Sequence, residues 1–408
     1  MKKEALAGIL DQAVLYLLYA IAFFLPISKG IIETCSILAI LFYFTKKILK
    51  RQSLPDTFLS PVIYVYLIVC LYSVFLSCNP AISARTFFNK LLQNAAFFLV
   101  VADTLNTDKR LKNFLYILFC SSALLGIDGI YQYFTLKDFI RNRRSIFTER
   151  IYATFPTPND FGCYLSCVMP FVASVMFFKA GKVLKACLTG LFILLLACLA
   201  LTISRGAWLA FLASMVFLCV FIKQIRLVFL FFLIAVLAGR SFFPDFVKDR
   251  LDNLFVFFDI NKLQDVGSQD RKMIWQAGWR MFLTRPLIGL GIGTFMFNFD
   301  HFISAGYIYT ASYAHNCYLQ MASEIGISGL VSFLLILVFV FIRGIKALCG
   351  VQKTFIWYVL AATLASLLGY CVQMAVDTNF YSLDLGLLFW LLLGLVAATV
   401  KELRIMKG

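Results

Sequence analysis

The feature that most constrains this chain is a nearly unbroken succession of apolar stretches, at 11–28, 31–45, 60–77, 87–105, 112–134, 160–178, 185–203, 206–222, 225–243, 317–342, 354–377 and 382–400. A hydrocarbon core about 30 Å thick takes roughly 20 helical residues to cross. Inside lipid, backbone polar groups are satisfied only within helices or closed barrels. The expectation is therefore an all-α polytopic membrane protein of about 12 transmembrane helices, with residues 1–408 forming a single integral membrane domain. Composition agrees, since 62% of residues are hydrophobic and 14% charged, against about 45–50% and 25% in ordinary soluble domains. That balance excludes a soluble enzyme, a disordered tail and a reader of nucleic acid, and it makes membrane lipids obligatory partners.

Charge placement sets the expected orientation. With twelve spans both termini share one side, and its short segments carry 20 of the 37 Lys and Arg residues, including Lys2 and Lys3, Lys46 to Arg51, and Lys401 to Lys407. Even spread over short loops is the positive-inside pattern, so this side is read as cytoplasmic. Thirteen of the remaining 17 fall in two outer loops, five between 137 and 150 and eight between 240 and 285. Long loops are exempt from the orientation rule, and an anionic ligand at the outer face is the expected reason for this charge.

The first apolar stretch follows Lys2 and Lys3 directly and lacks a clear small-residue cleavage site, so it is expected to stay as a helix. Of the twelve cysteines, Cys35, Cys70, Cys120, Cys187, Cys198, Cys219 and Cys371 lie inside apolar runs and read as small buried hydrophobes. Cys163 and Cys167 stand one turn apart with no neighbouring His or carboxylate cluster, and no metal site is assigned.

The longest loop, 244–315, is too long for a structureless connector and should fold as a largely helical periplasmic element. Ser268 followed by Asp270 and Arg271 reads as a helix start, with Ile274, Ala277, Gly278, Met281 and Phe282 as its apolar face and Pro286 as its stop. This predicts an amphipathic helix on the membrane surface or over a cavity. Gly289, Gly291 and Gly293 lack a preceding strand, so they read as a flexible turn and not a phosphate cradle.

Ionisable residues at span boundaries are costly and are functional candidates by default. Arg205 sits between two spans with almost no loop to carry it into water. The chain has two histidines. His301 lies in a Phe/Tyr-rich stretch and reads as an interfacial residue, whereas His315-Asn316 opens a span in which Gly326 and Gly329 follow as small residues suited to close helix approach.

Four stretches together resemble the O-antigen ligase and polymerase superfamily of bacterial inner membranes. Arg205 with Leu209 resembles its R-x3-L element, and His315-Asn316 through Gly326 and Gly329 fits its H-[NSQ]-x9-G-x-x-[GTY] element at every specified position. Arg271, ahead of Ile274-Trp275 and Arg285-Pro286, resembles the family's loop-helix arginine, and Thr154 to Phe161 resembles the lead-in to its middle span. The resemblance implies transfer of a glycan from an undecaprenyl-diphosphate-linked donor to a lipid A-core or glycan acceptor at the periplasmic face of the inner membrane, with no cofactor, metal or nucleotide. It implies His315 as general base and Arg205 and Arg271 as the catalytic arginines, with Arg150, Asn159, Asn316 and Arg285 as substrate-binding residues. The chemistry suits the residue types, since guanidinium forks bind phosphate oxygens bidentately and a neutral imidazole can accept a hydroxyl proton.

Within the family the chain is read as a ligase, with polymerase or protein O-oligosaccharyltransferase as alternatives. The R-x10-G spacing common in polymerase loops occurs from Arg280 to Gly291 but not among Arg141, Arg143, Arg144 and Arg150. A transporter of an anionic lipid or metabolite is the alternative from another class, but no internal repeat is seen and the basic residues gather at one face.

Overall fold

The computed structural model describes residues 2–178, 181–238, 248, 266–304, 307 and 312–406. Every regular element among them is helical. In chain order these are α1 (Lys2–Phe24), α2 (Lys29–Lys50), α3 (Ser60–Phe75), α4 (Pro80–Thr86), a π-helical segment (Phe87–Leu92), α5 (Gln93–Thr104), α6 (Asp108–Thr135), α7 (Pro158–Met176), α8 (Lys182–Leu201), α9 (Arg205–Phe221), α10 (Lys223–Ala238), α11 (Val266–Thr284), α12 (Phe295–Phe302), α13 (Cys317–Leu348), α14 (Phe355–Met374), a 3₁₀ turn (Asn379–Tyr381) and α15 (Leu383–Ile405). Among the described residues six helices are long and apolar enough to cross a membrane, namely α1, α6, α8, α13, α14 and α15, and α3 and α9 are shorter apolar helices. Residues 244–247, 249–265, 305–306 and 308–311 of the expected outer loop lie outside the described residues.

Helices α7, α14 and α15 form the centre, their side chains buried almost throughout, with Trp357, Trp390, Tyr164 and Tyr370 among the largest. The outer helices bury one face only. Cys120 and Cys187, expected to be buried, are exposed on such outer faces. An apolar span gains its free energy from lipid as readily as from protein, so apolarity in a span does not imply burial in the bundle.

One end of the bundle gathers the long connections. Thr154 donates its hydroxyl to Pro26 O, Arg141 donates through its guanidinium to Ile27 O, and Ile151 N–H donates to Leu201 O at 3.1 Å. At the other end of α2, Lys46 pairs with Asp11 at 2.9 Å and Lys47 with Asp103 at 2.8 Å, while Arg110 reaches Asp11 at 2.6 Å.

Helix α11 begins at Val266, so Ser268 lies in its first turn and not before it. Its expected apolar face is real, with Ile274, Ala277, Gly278 and Met281 buried. That face packs on α13, where Ser323 Oγ donates to Gly278 O at 2.9 Å.

The glycine turn after α11 is a locked joint, which corrects the reading of a flexible one. Helix α13 breaks at Gly326 (φ 66°, ψ −171°). On one side of the break the carbonyls of Ser323 and Glu324 accept from Leu290 N–H (3.0 Å) and Gly291 N–H (2.8 Å). On the other side Ile327 N–H donates to Pro286 O at 2.8 Å and Ser328 Oγ to Leu287 O at 2.7 Å. The turn thus replaces helical hydrogen bonds that the break forgoes, a requirement for buried backbone. Gly326 is therefore a break that admits a loop, not a contact point for another helix. A Cβ there would meet the backbone of Leu287 and Ile288, and its dihedrals lie in a region open essentially to glycine alone, at a cost of roughly 1–3 kcal/mol for other residues. Gly326→Ala is expected to lower the unfolding temperature of the purified protein accordingly, and unchanged thermal unfolding would show that the joint tolerates a side chain.

Candidate active site

Three loops meet at the end of the bundle marked by residues 25–28 and 201–204. The first joins α8 to α9. Ile203 is forced to a positive φ of 51°, a genuine strain for a β-branched residue. Ser204 then caps α9, its Oγ accepting from Ala207 N–H at 3.4 Å, and Arg205 becomes the first helical residue at 8% exposure. The turn is clamped from the side. Arg150 donates Nε to Thr202 O at 2.8 Å and Nη2 to Asn159 Oδ1 at 3.1 Å, Ser204 Oγ donates to the same Asn159 oxygen at 2.9 Å, and Gln373 Nε2 donates to Asn159 O at 3.0 Å. Asn159 therefore ties the 150 loop and the start of α7 to the start of α9 and the end of α14.

The second loop leads into α13. His315 also takes a positive φ, 47°, and Asn316 caps the helix by accepting from Leu319 N–H at 3.0 Å. His315 Nε2 lies 3.5 Å from Ser312 Oγ. The third loop, between α14 and α15, supplies Asp377, whose Oδ1 lies 3.4 Å from His315 Nδ1. Asp377 is held by Thr378 N–H at 2.8 Å, and its own carbonyl accepts from Cys317 Sγ at 3.1 Å. Burial pushes the Asp377 carboxyl up, but its contact with His315, the charges of His315 and Arg271, and the Thr378 N–H together hold it below the ordinary aspartate value. A depressed carboxyl contributes stability in full above about pH 3.9 and loses it only as pH falls through the lowered value. Asp377 is thus ionised at neutral pH.

These loops lie against one another. A Cβ on Gly206, next to Arg205, would come within 2.7 Å of Val376, next to Asp377. Arg271, on the first turns of α11, acts electrostatically on Asp377. The structure therefore brings Arg205, Arg271 and His315 to one locality, with Arg150 and Asn159 behind Arg205.

Two residues named from the sequence sit elsewhere or do something local. Arg285 is 14 residues past Arg271, about 20 Å along a helix, and its Nη1 donates to Leu76 O at 2.8 Å. Asn316 has its Oδ1 engaged as a helix cap. Nor is the basic surplus at this end all ligand-directed. Arg141, Arg150, Arg280 and Arg285 each donate to backbone carbonyls of neighbouring segments, bracing connections that lack regular hydrogen bonds. His301 is exposed on α12. Asp377 was missed by sequence reasoning, although the rule that singled out Arg205 applies equally to an acid closing the apolar window 354–377.

Comparison with known families bears directly on this arrangement. Residues 190–334 match the O-antigen ligase family. The matched segment, a little over a third of the chain, contains Arg205, Arg271, His315, Gly326 and Gly329, so it agrees with the resemblance read from the motifs. It supports a glycosyltransferase of the O-antigen ligase and polymerase type. Arg150, Asn159 and Asp377 lie outside the O-antigen ligase match yet pack onto it. No curated protein matches the chain by sequence.

Proposed function

We propose that the chain is an O-antigen ligase: a polytopic inner-membrane glycosyltransferase with about twelve spans, moving a glycan from undecaprenyl diphosphate to a lipid A-core hydroxyl on the periplasmic side. The observation that carries this reading is the His315–Asp377 pair lying within the electrostatic reach of Arg271 and packed against the start of α9 at Arg205.

With Nδ1 facing a carboxylate, the ring proton belongs on Nδ1 and the lone pair on Nε2. The acceptor oxygen attacks the anomeric carbon and gives its proton to Nε2. The bond from that carbon to the diphosphate breaks, and the electron pair leaves on the diphosphate. Arg205 and Arg271 bind those oxygens as charge develops on them, and the N-terminus of α9 adds its dipole. Asn159 and Arg150 fix the Arg205 turn, and Asp377 fixes the imidazole.

Support for ligase over polymerase comes from Arg280. The one R-x10-G spacing begins there, but its Nη1 donates to Phe302 O at 3.2 Å and Ser304 Oγ at 3.1 Å and so ties α11 to the end of α12. Lipopolysaccharide from a deletion strain tests the choice. Core with no O-antigen supports the ligase, and core bearing a single repeat unit identifies a polymerase.

Asp377→Asn keeps the side-chain shape but removes the charge that orients Nδ1–H. Transfer turnover is expected to fall about 10²-fold, at the lower end of a general-base contribution, with the KM for the lipid-linked donor unchanged. A parental kcat would remove Asp377 from the mechanism.

A further inference from the structure

A second concavity opens at the same end of the bundle. It is a cavity of about 530 Å³ between the first turns of α2, the face of α4, the π segment and α5, and the first turns of α13, with residues 380–383 along one side. Its lining is balanced in charge, with Glu33 and Glu324 set against Arg85 and Lys90. A site for a bare anion would be basic throughout, and a tunnel for an acyl chain would be apolar throughout. Here the side-chain amides of Asn89, Asn94 and Gln320 and the rings of Tyr66, Tyr313 and Trp390 line the cavity together with those charges. A polyhydroxylated ring fits such a mixture, because each hydroxyl both donates and accepts while the ring's C–H face lies on an aromatic surface.

One lining group, Glu324, is built in and not incidental. Glu324 is 2% exposed, and its carboxyl accepts from Gly293 N–H at 2.9 Å, Phe295 N–H at 3.2 Å and Gln320 Nε2 at 3.2 Å. Gln320 in turn accepts from the N–H of Ala314 at 3.2 Å, the residue before His315. Tyr313 lines the cavity two residues before His315, and its ring lies 6.2 Å from that of Tyr381, which follows Asp377 on its loop. The wall opposite is a π-helical turn, a widened geometry that recurs at functional sites. The cavity thus shares two of its walls with the loops that hold His315 and Asp377, and none of the described residues that line it belongs to α9.

We infer that this cavity binds the acceptor saccharide, holding the sugar whose hydroxyl is presented to His315 while the diphosphate of the donor lies on the Arg205 side. The inference rests on the transfer reading above for its choice of acceptor over other saccharides. Displacement at an anomeric carbon requires attack in line with the departing diphosphate, and an acceptor held in a cavity separate from α9 suits that requirement.

Two variants test it, Arg85→Ala combined with Asn89→Ala, both exposed positions, and Tyr313→Ala. Each loses contacts of the hydrogen-bonding or stacking kind, so the KM for the acceptor is expected to rise about tenfold, with the KM for the donor unchanged. Binding is read separately by saturation-transfer NMR on the full-length protein with core oligosaccharide freed of its acyl chains and no donor present. Wild-type protein should show saturation of the sugar protons, and both variants should lose most of it. Oligosaccharide binding that is equal in all three proteins, or a rise confined to the donor KM, overturns the assignment. If wild-type protein binds the oligosaccharide and the variants do not, yet no glycan is transferred by any of them, the saccharide cavity stands and the transfer reading falls.

Discussion

Replacing His315 with alanine should slow glycan transfer by about 10²–10⁴-fold, the usual range for a lost general base, while the lipid-linked donor continues to bind. Both halves of that expectation come from the geometry. Nδ1 of His315 is turned to Asp377 at 3.4 Å and Nε2 is turned the other way, so the ring is oriented as a proton acceptor. The groups proposed to hold the diphosphate, Arg205 and Arg271, sit on other helices, α9 and α11. The measurement is donor binding and single-turnover transfer on the same purified variant. Lost binding with an unchanged rate per bound donor would reduce His315 to a substrate contact.

Arg205→Lys is expected to be nearly as damaging as Arg205→Ala, with a loss of about 10²–10³-fold in kcat, the typical cost of one preorganised donor to developing charge. An ammonium is a point charge and cannot span two phosphate oxygens as a planar fork does. The surroundings allow no easy compensation. Arg205 is the first residue of α9, only 8% exposed, and its turn is fixed by the strained Ile203, the Ser204 cap and the Asn159 hub. A lysine variant with near-parental transfer would make Arg205 a head-group anchor.

The two substitutions probe what was easiest to read from sequence. Apolar windows located the helices because lipid demands them: 206–222 became Arg205–Phe221, and 382–400 became Leu383–Ile405. Arg205 stood out because a charge at a membrane boundary is conspicuous against a 62% hydrophobic background, whereas Arg271 and His315 were picked out by their motifs' resemblance to the O-antigen ligase superfamily. What stayed hidden depends on tertiary partners. No local signal says that Arg285 reaches Leu76, 209 positions away, or that Arg150 braces the turn before Arg205. The π segment was likewise invisible, since the sequence Phe87–Leu92 carries no pattern distinct from an ordinary helix. Gly326 was recognised as a motif position but given the wrong task, because a small residue in a span can admit a helix or a loop and the sequence does not say which.

That glycine has a consequence for how this protein sits among lipids. Spans tilt when the bilayer is thicker or thinner than their apolar length, at a modest energetic cost. An unbroken 32-residue α13 would carry any such tilt straight to His315 at its tip. Instead the ladder of helical bonds stops at Gly326, and the stretch from Cys317 to Ile325 is fastened to the 286–293 turn and to α11. The lower part, Ile327–Leu348, is held to the same turn at its first two residues, so no continuous helical ladder carries its tilt upward. The position of His315 is therefore expected to respond less to lipid chain length than it would at the tip of an unbroken helix.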